Sequence, residues 1–356
     1  MTMTTRSVVV KIGTSSVTTV DGKVDYESLV KVAADVVALR EDGWSVVVVT
    51  SGAITAGWAD VGNGRRRPND AVTLQAVSAV GQPLLMHAWR NAFTEAGAVV
   101  GQVLLAPLDF SHRGQYLHAR GTLEALRELN VVAIVNENDA VADEEIRFGD
   151  NDRLAALVAN LIAATHLVLL TDTAGLLTAD PRLDPSATLI DEVRSIDPSI
   201  EGLAGESRSG VGSGGMSSKL AAARMATWSG VTTVIAPARV DHPVRRALES
   251  GGGTTFLARA ERLSARKAWI AFAVASRGSL VINQGALQAL EHHGRSLLRV
   301  GVVEHRGNFA EGDAVDIVGP DHDVVAKGLV RVGADAFAES DDVVVHRDDL
   351  VLLRRP

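Results

Sequence analysis

The stretch Gly210-Val211-Gly212-Ser213-Gly214-Gly215-Met216-Ser217-Ser218-Lys219 holds four glycines in six residues and ends on a lysine. Without a Cβ, glycine lets backbone N–H groups come close to a ligand. The following run, residues 217–223, reads as a helix opening with a serine in the N-cap region. A glycine loop feeding a helix N-terminus attracts an anion, and a lysine in the first turn adds a mobile positive charge. The competing reading is a plain surface loop. The Walker pattern fails, because no glycine directly precedes Lys219 and no Ser or Thr directly follows it. A G-x-G-x-x-G match exists at Gly210, Gly212 and Gly215, but residues 201–209 before it are polar where a buried strand belongs. The stretch reads as a phosphate cradle of some third kind.

Other segments carry chemistry too. Lys11 lies near the end of the apolar run Val8-Val9-Val10-Lys11-Ile12, where an ammonium is costly unless it meets an anion or snorkels out at an edge. Ser51-Gly52-Ala53 follows a second such run and suits close backbone approach to a ligand. Asn136-Glu137-Asn138-Asp139 follows another. Gly149-Asp150-Asn151-Asp152 precedes a helical stretch, and N-capping explains only one of these carboxylates. Thr171-Asp172 closes a further apolar run. Arg65-Arg66-Arg67 reads as a solvated basic face, and His112, His118 and His166 as structural.

These groups need a scaffold that brings them together. Apolar runs at 8–12, 45–50, 99–105, 131–135, 167–170 and 231–235 read as strands, most of them buried on both faces. Helical spacing marks residues 26–41, 70–94, 115–129 and 154–164, and Gly81-Gln82-Pro83 is expected to break or kink the second of these. Strands alternating with helices predict an α/β fold, a three-layer αβα open and mostly parallel sheet. In such sheets ligands bind beyond the carboxyl ends of the strands. Lys11, Ser51, Asn136, Asp139, Thr171 and Asp172 all fall there. Composition changes near residue 260. A charged, helix-prone linker leads into short β-like runs at 279–282, 296–303, 314–318, 324–332 and 343–345, with one helical stretch at 284–292. This predicts a small mostly-β barrel domain. The expected division is 1–262 and 263–356.

Bulk properties narrow the class. The chain has 356 residues, a net charge of −8, 4% aromatics and no cysteine. Disulfides and thiolate metal sites are excluded, and the negative charge argues against nucleic acid as the main partner. No apolar run approaches a membrane span of roughly 20 residues, and the first residues do not read as a signal peptide. A soluble, cytoplasmic protein is expected.

Taken together, Val10-Lys11-Ile12-Gly13, Thr50-Ser51-Gly52-Ala53-Ile54, Asn136-Glu137-Asn138-Asp139-Ala140-Val141, Gly149-Asp150-Asn151-Asp152, Leu170-Thr171-Asp172, Thr178-Ala179-Asp180-Pro181-Arg182 and Gly214-Gly215-Met216-Ser217-Ser218-Lys219 resemble the glutamate 5-kinase family of amino-acid kinases. Gly307-Asn308-Phe309 and Val325-Ala326-Lys327-Gly328-Leu329 resemble a PUA domain. Ser213 and Ser218 stand where many relatives are expected to carry threonine; both keep the hydroxyl.

The resemblance implies ATP-dependent phosphorylation of the L-glutamate side-chain carboxylate, the first step of proline biosynthesis, with ATP and Mg²⁺. It implies catalytic roles for Lys11, Lys219 and Asp152. Ser51, Asp139 and Asn151 are implied to hold glutamate, with Asn136 and Asp150 nearby. Lys11, Thr171, Asp172 and the loop Ser213, Gly214, Gly215, Met216, Ser217, Ser218, Lys219 are implied to bind ATP. It assigns no metal ligands. It further implies feedback inhibition by proline and a homo-oligomer, dimer or tetramer. The chemistry agrees: a carboxylate with a reference pKa near 4.3 is already ionised at neutral pH, so no general base is required. Two alternatives stay open. One is a kinase for another acidic acceptor, N-acetylglutamate or aspartate, against which the 136–152 segment and the PUA-like domain weigh. The other is an RNA-binding protein, disfavoured by nine Lys/Arg against thirteen Asp/Glu from residue 268 onward.

Overall fold

A strand with no polar face is stable only between two covering layers, and Ser7–Ile12 forms such a strand, β1, buried at every residue after Ser7. The structure is a computed structural model describing residues 6–141, 151–204, 215–249, 251–337 and 343–353. The chain divides into two compact units, Met1–Asp109 with Arg113–Arg262 and Phe110–His112 with Leu263–Pro356.

The first unit is built on an eight-stranded sheet of order β3-β4-β2-β1-β5-β7-β8-β6. Its further strands are β2 (Ser45–Val49), β3 (Val100–Leu105), β4 (Val132–Glu137), β5 (His166–Thr171), β6 (Glu192–Val193), β7 (Thr232–Pro237) and β8 (Thr254–Phe256). All pairings are parallel except β7 with β8. The chain winds outward from β1 through β2, then returns to lay β5 on the other side of β1. That makes β1 the topological switch point, where ligands bind in open α/β sheets.

Side chains alternate across a strand. Val8, Val10 and Ile12 enter a core shared with helices Tyr26–Glu41 and Ala71–Glu95, including Leu29, Val36, Leu85, Trp89 and Phe93. Val9 and Lys11 therefore face the other layer, where helix Asn151–Leu161 packs on β1 and on helix Met216–Trp228. Register sets the depth. Lys11 pairs with Val49 and Leu169, and Val49 pairs with Val135. Ser51, Asn136 and Thr171 thus lie one or two residues past a single line across the sheet.

Helix Ala71–Glu95 is continuous through Gly81-Gln82-Pro83, so of the expected break or kink the break does not occur. Tertiary contact overrides the local breaker. A Cβ on Gly81 would fall 1.8 Å from the Ala53 carbonyl oxygen, and one on Gly57 would fall 2.1 Å from that of Val77. The two glycines let this helix lie directly on helix Ala53–Val61. Trp89 and Phe93, both fully buried, anchor its far half; truncating either to alanine costs about 3–5 kcal/mol.

The second unit holds a six-stranded sheet of order β10-β14-β13-β12-β9-β11. Its strands are β9 (Gly278–Ile282), β10 (Leu297–Leu298), β11 (Val302–Gly307), β12 (Ala314–Val318), β13 (Val324–Val330) and β14 (Val343–Leu352). Leu287 and Leu290 of helix Gln284–His293 join Leu280, Ile317, Val325 and Val344 in its core.

Candidate active site

Asp152 organises the site. It is the second residue of helix Asn151–Leu161, fully buried. Its Oδ1 lies 2.5 Å from Lys11 Nζ and its Oδ2 lies 3.1 Å from Lys219 Nζ. Both lysines are themselves only 4% and 6% exposed. Burial alone would raise the Asp152 carboxyl pKa; the Lys11 charge, then that of Lys219, outweighs burial and lowers it to about 2. A carboxylate in the first helical turn also gains from the helix dipole. The Ser218 hydroxyl lies 3.1 Å from Asp152 Oδ2 and 2.8 Å from the Gly215 carbonyl oxygen, one proton facing two acceptors.

Helix Met216–Trp228 supplies Lys219 in its first turn. Its N-cap is Gly215, with no side-chain cap, so the serine expected to cap it does not. Met216 and Ser217 open this helix and Ser217 is exposed. Thr171 ends β5, buried, and its hydroxyl donates to Asp172 Oδ1 at 3.1 Å. Ser213, Gly214 and Asp150 lie outside the described residues.

A second group of polar side chains adjoins Asp152 through the chain. Asn151, expected ahead of a helix beginning at 154, is instead its first residue. Its Nδ2 donates to Ser51 Oγ at 2.6 Å and to Asn136 Oδ1 at 3.1 Å. Asn136, expected just beyond β4, is a residue of β4 and is 1% exposed. Gly52, with φ of 104°, turns the chain from Ser51 into helix Ala53–Val61. A side chain there would be strained and would meet Val17 at 2.8 Å. Thr50, fully buried, accepts from Trp89 Nε1 at 3.0 Å and so ties the Ser51 turn to the core. Asp139 opens a 3₁₀ turn and lines a cavity of about 540 Å³ with Gln82, Arg90, Glu137 and Asn138.

The described residues thus bring Lys11, Asp152, Lys219 and Ser218 into one cluster, and Ser51, Asn136 and Asn151 into another next to it. Sequence reasoning assigned no role to Gln82, Glu137, Thr50 or Trp89. Gln82 Oε1 accepts from Asn136 Nδ2 at 2.8 Å, and Glu137 is buried at the end of β4. For Thr50 and Glu137 the local signal was the apolar–polar boundary at the strand ends; Gln82 and Trp89, within helix Ala71–Glu95, carried no such signal. His166 sits at the opposite end of β5 against Trp44. The Arg65–Arg67 run is exposed, with Arg65 donating to the carbonyls of Val61 and Gly62.

Similar proteins bear on this geometry. The model of the amino acid kinase family matches residues 6–237, and that of the PUA domain matches residues 278–347. A protein of Nocardia farcinica (strain IFM 10152) named glutamate 5-kinase is 48% identical over 359 residues, covering 97% of this chain and 96% of that one. Proteins of the same name are 45% identical in Burkholderia cenocepacia (strain HI2424), over 96% of this chain and 91% of that one, and 44% identical in Mycobacterium ulcerans (strain Agy99), over 98% and 97%. Among solved structures, carbamate kinase from Giardia lamblia bound to AMP-PNP superposes with a TM-score of 0.52 at 17% identity. It covers 71% of this chain and 99% of that chain, a likeness of fold. The chain belongs to the amino acid kinase family and, within it, to the glutamate 5-kinases, with a PUA domain in its C-terminal part.

Proposed function

We propose that the chain transfers the γ-phosphoryl group of ATP to the side-chain carboxylate of L-glutamate, giving L-glutamyl 5-phosphate, the first step of proline biosynthesis. The observation that carries the mechanism is the pair of buried lysines, one from β1 and one from a helix start, meeting on Asp152. A carboxylate oxygen of glutamate forms a bond to the γ-phosphorus while the bond to the bridging oxygen of ADP breaks. Lys11 and Lys219 stabilise the equatorial oxygens as the phosphoryl group passes, and Asp152 keeps the two ammonium groups at fixed separation. No proton moves, because the nucleophile is already a carboxylate. Ser51, Asn151 and Asp139 hold glutamate, the acid binding its ammonium group, with Asn136 and Asp150 completing the wall. Thr171, Asp172 and the segment from Ser213 to Lys219 hold ATP.

Mg²⁺ would be held mainly by the phosphates of ATP and by water, as is usual for this ion at nucleotide sites. No residue of this chain is assigned to it, and among the described residues no three His, Asp or Glu side chains gather into a cage. When bound, Mg²⁺ neutralises phosphate charge.

No helix among the described residues is long and apolar enough to cross a membrane. Separately, we propose a cytoplasmic location, that of a biosynthetic kinase that draws on ATP. Proline inhibition, if it uses the same ammonium and carboxylate recognition, is relieved by high glutamate. A homo-oligomer, dimer or tetramer, is the expected assembly, read out by light scattering. The assignment of substrate is tested by ADP release with L-glutamate, N-acetylglutamate and aspartate in turn. L-Glutamate is expected to give the highest kcat/KM; faster turnover of either other acceptor overturns the choice.

A further inference from the structure

We infer that Gln82 is a positioning residue for the acceptor substrate, orienting through Asn136 the amides that hold glutamate, an inference that rests on reading Ser51 and Asn151 as glutamate-holding groups. A primary amide turned over by half a rotation keeps its shape but exchanges donor for acceptor, so its partners must decide which end faces the ligand. Here a backbone group decides. The Glu137 N–H donates to Asn136 Oδ1 at 2.9 Å, which makes that atom the acceptor. Asn136 Nδ2 must then face Gln82, whose Oε1 accepts at 2.8 Å. Asn151 Nδ2 donates into the same Asn136 oxygen and into Ser51 Oγ.

The polarity of this relay leaves two groups to the substrate. Asn151 Oδ1 is a buried acceptor with no partner among the described residues, suited to an ammonium group. Ser51 Oγ has accepted a hydrogen bond and keeps its own O–H to donate, suited to a carboxylate. Take away Gln82 Oε1 and Asn136, 1% exposed, is left with an unpaired donor at the start of the relay. The amide then gains by turning or tilting, and both substrate-facing groups lose their fixed direction.

The placement of Gln82 explains the Gly81-Gln82-Pro83 segment, which local propensity marks as a helix breaker. Gly81 lies against the Ala53 carbonyl so closely that no side chain fits. Ala53 is two residues past Ser51, and Gln82 is one residue past Gly81. One close helix contact therefore sets both ends of the relay.

The test is steady-state kinetics of Gln82→Met, which keeps length without an acceptor, and Gln82→Glu, which keeps an oxygen facing Asn136. Gln82→Met is expected to raise the glutamate KM about tenfold, the effect of one buried polar group left unpaired. The ATP KM and kcat stay within about twofold, and Gln82→Glu stays within about threefold of the parent in glutamate KM. General loosening of the fold would move the ATP KM and kcat as well. If Gln82→Met does not fold, Gln82→Asn, shorter by one methylene and still polar, withdraws the oxygen and is expected to give the same rise. A glutamate KM unchanged in the folded variant, an ATP KM rising in parallel, or a Gln82→Glu no better than Gln82→Met overturns the role. Glutamate-dependent turnover by the unaltered protein is measured alongside. Its absence would sink the substrate assignment, whereas its presence with normal Gln82 variants sinks only the role of Gln82.

Discussion

Replacing Asp152 by asparagine removes the one carboxylate on which Lys11 and Lys219 both rest. The two contacts, 2.5 and 3.1 Å, span a carboxylate about 2.2 Å across, which keeps the ammonium nitrogens within about 8 Å of each other. At that separation like charges repel by about 2 kcal/mol at an effective dielectric of about 20. Losing the shared partner of two buried cations adds to this, and breaking a buried ion pair costs about 3–5 kcal/mol in total. For a domain of this size, Asp152→Asn should therefore lower Tm by about 10 °C. Because misplacing a reacting group by about 1 Å costs on the order of a hundredfold, kcat should fall by about that factor. ATP should restore part of the lost Tm, since its phosphates supply the missing anion, and its thermal shift should exceed that of the parent. Calorimetry with and without ATP, paired with kinetics, reads all three. A variant as stable as its parent without nucleotide, or with kcat within about fivefold of it, would refute the positioning role assigned to Asp152.

Further outcomes follow from the same geometry. Lys219→Ala should lower kcat on the order of a hundredfold or more while leaving the glutamate KM within about threefold; an unchanged kcat removes Lys219 from the transfer step. Asp152 is held at about 2, below its ordinary 3.8. A lowered folded-state pKa stabilises fully above the unfolded value, so acid melts should lose on the order of 2 kcal/mol between about pH 4 and pH 2. Asp152→Asn should lack that component, and an identical acid melt would contradict it. The acid limb of kcat/KM should follow the glutamate side chain near about pH 4.3; a limb near neutrality would mean a general base takes part. Gly81→Ala should cost about 3 kcal/mol or more, because the added Cβ meets backbone that cannot yield. A denaturant midpoint equal to the parent's would deny the close helix contact.

How much of this was legible in the sequence depends on the range of the forces involved. Lys11 could be read because a lysine within a valine run conflicts with burial unless a partner waits, and the period of two then sets its face. The helix at Tyr26–Glu41 follows from local spacing, and the structure adds an Asp25 cap that accepts from the Ser28 N–H. Asn136 and Glu137 looked like a loop because polarity ended the apolar run. They continue β4 because Leu104 and Leu105 of β3 pair with them, a partnership no local pattern announces. The same limit hid β6 and β8, short strands without periodicity. At Gly81-Gln82-Pro83 the reason is the opposite: local propensity allows a break, and packing of Gly81 against Ala53 keeps the helix continuous. Gln82 escaped because its partner lies 54 residues away and nothing near it in sequence encodes an amide relay.

The central claim is that two lysines joined through Asp152 move a phosphoryl group onto a carboxylate. It is tested most directly by incubating the protein with ATP, Mg²⁺ and L-glutamate in the presence of hydroxylamine, which captures an acyl phosphate as its hydroxamate. Glutamyl hydroxamate should form in step with ADP and vanish in Lys219→Ala. ADP release from glutamate without hydroxamate, or hydroxamate formed undiminished in Lys219→Ala, would contradict it.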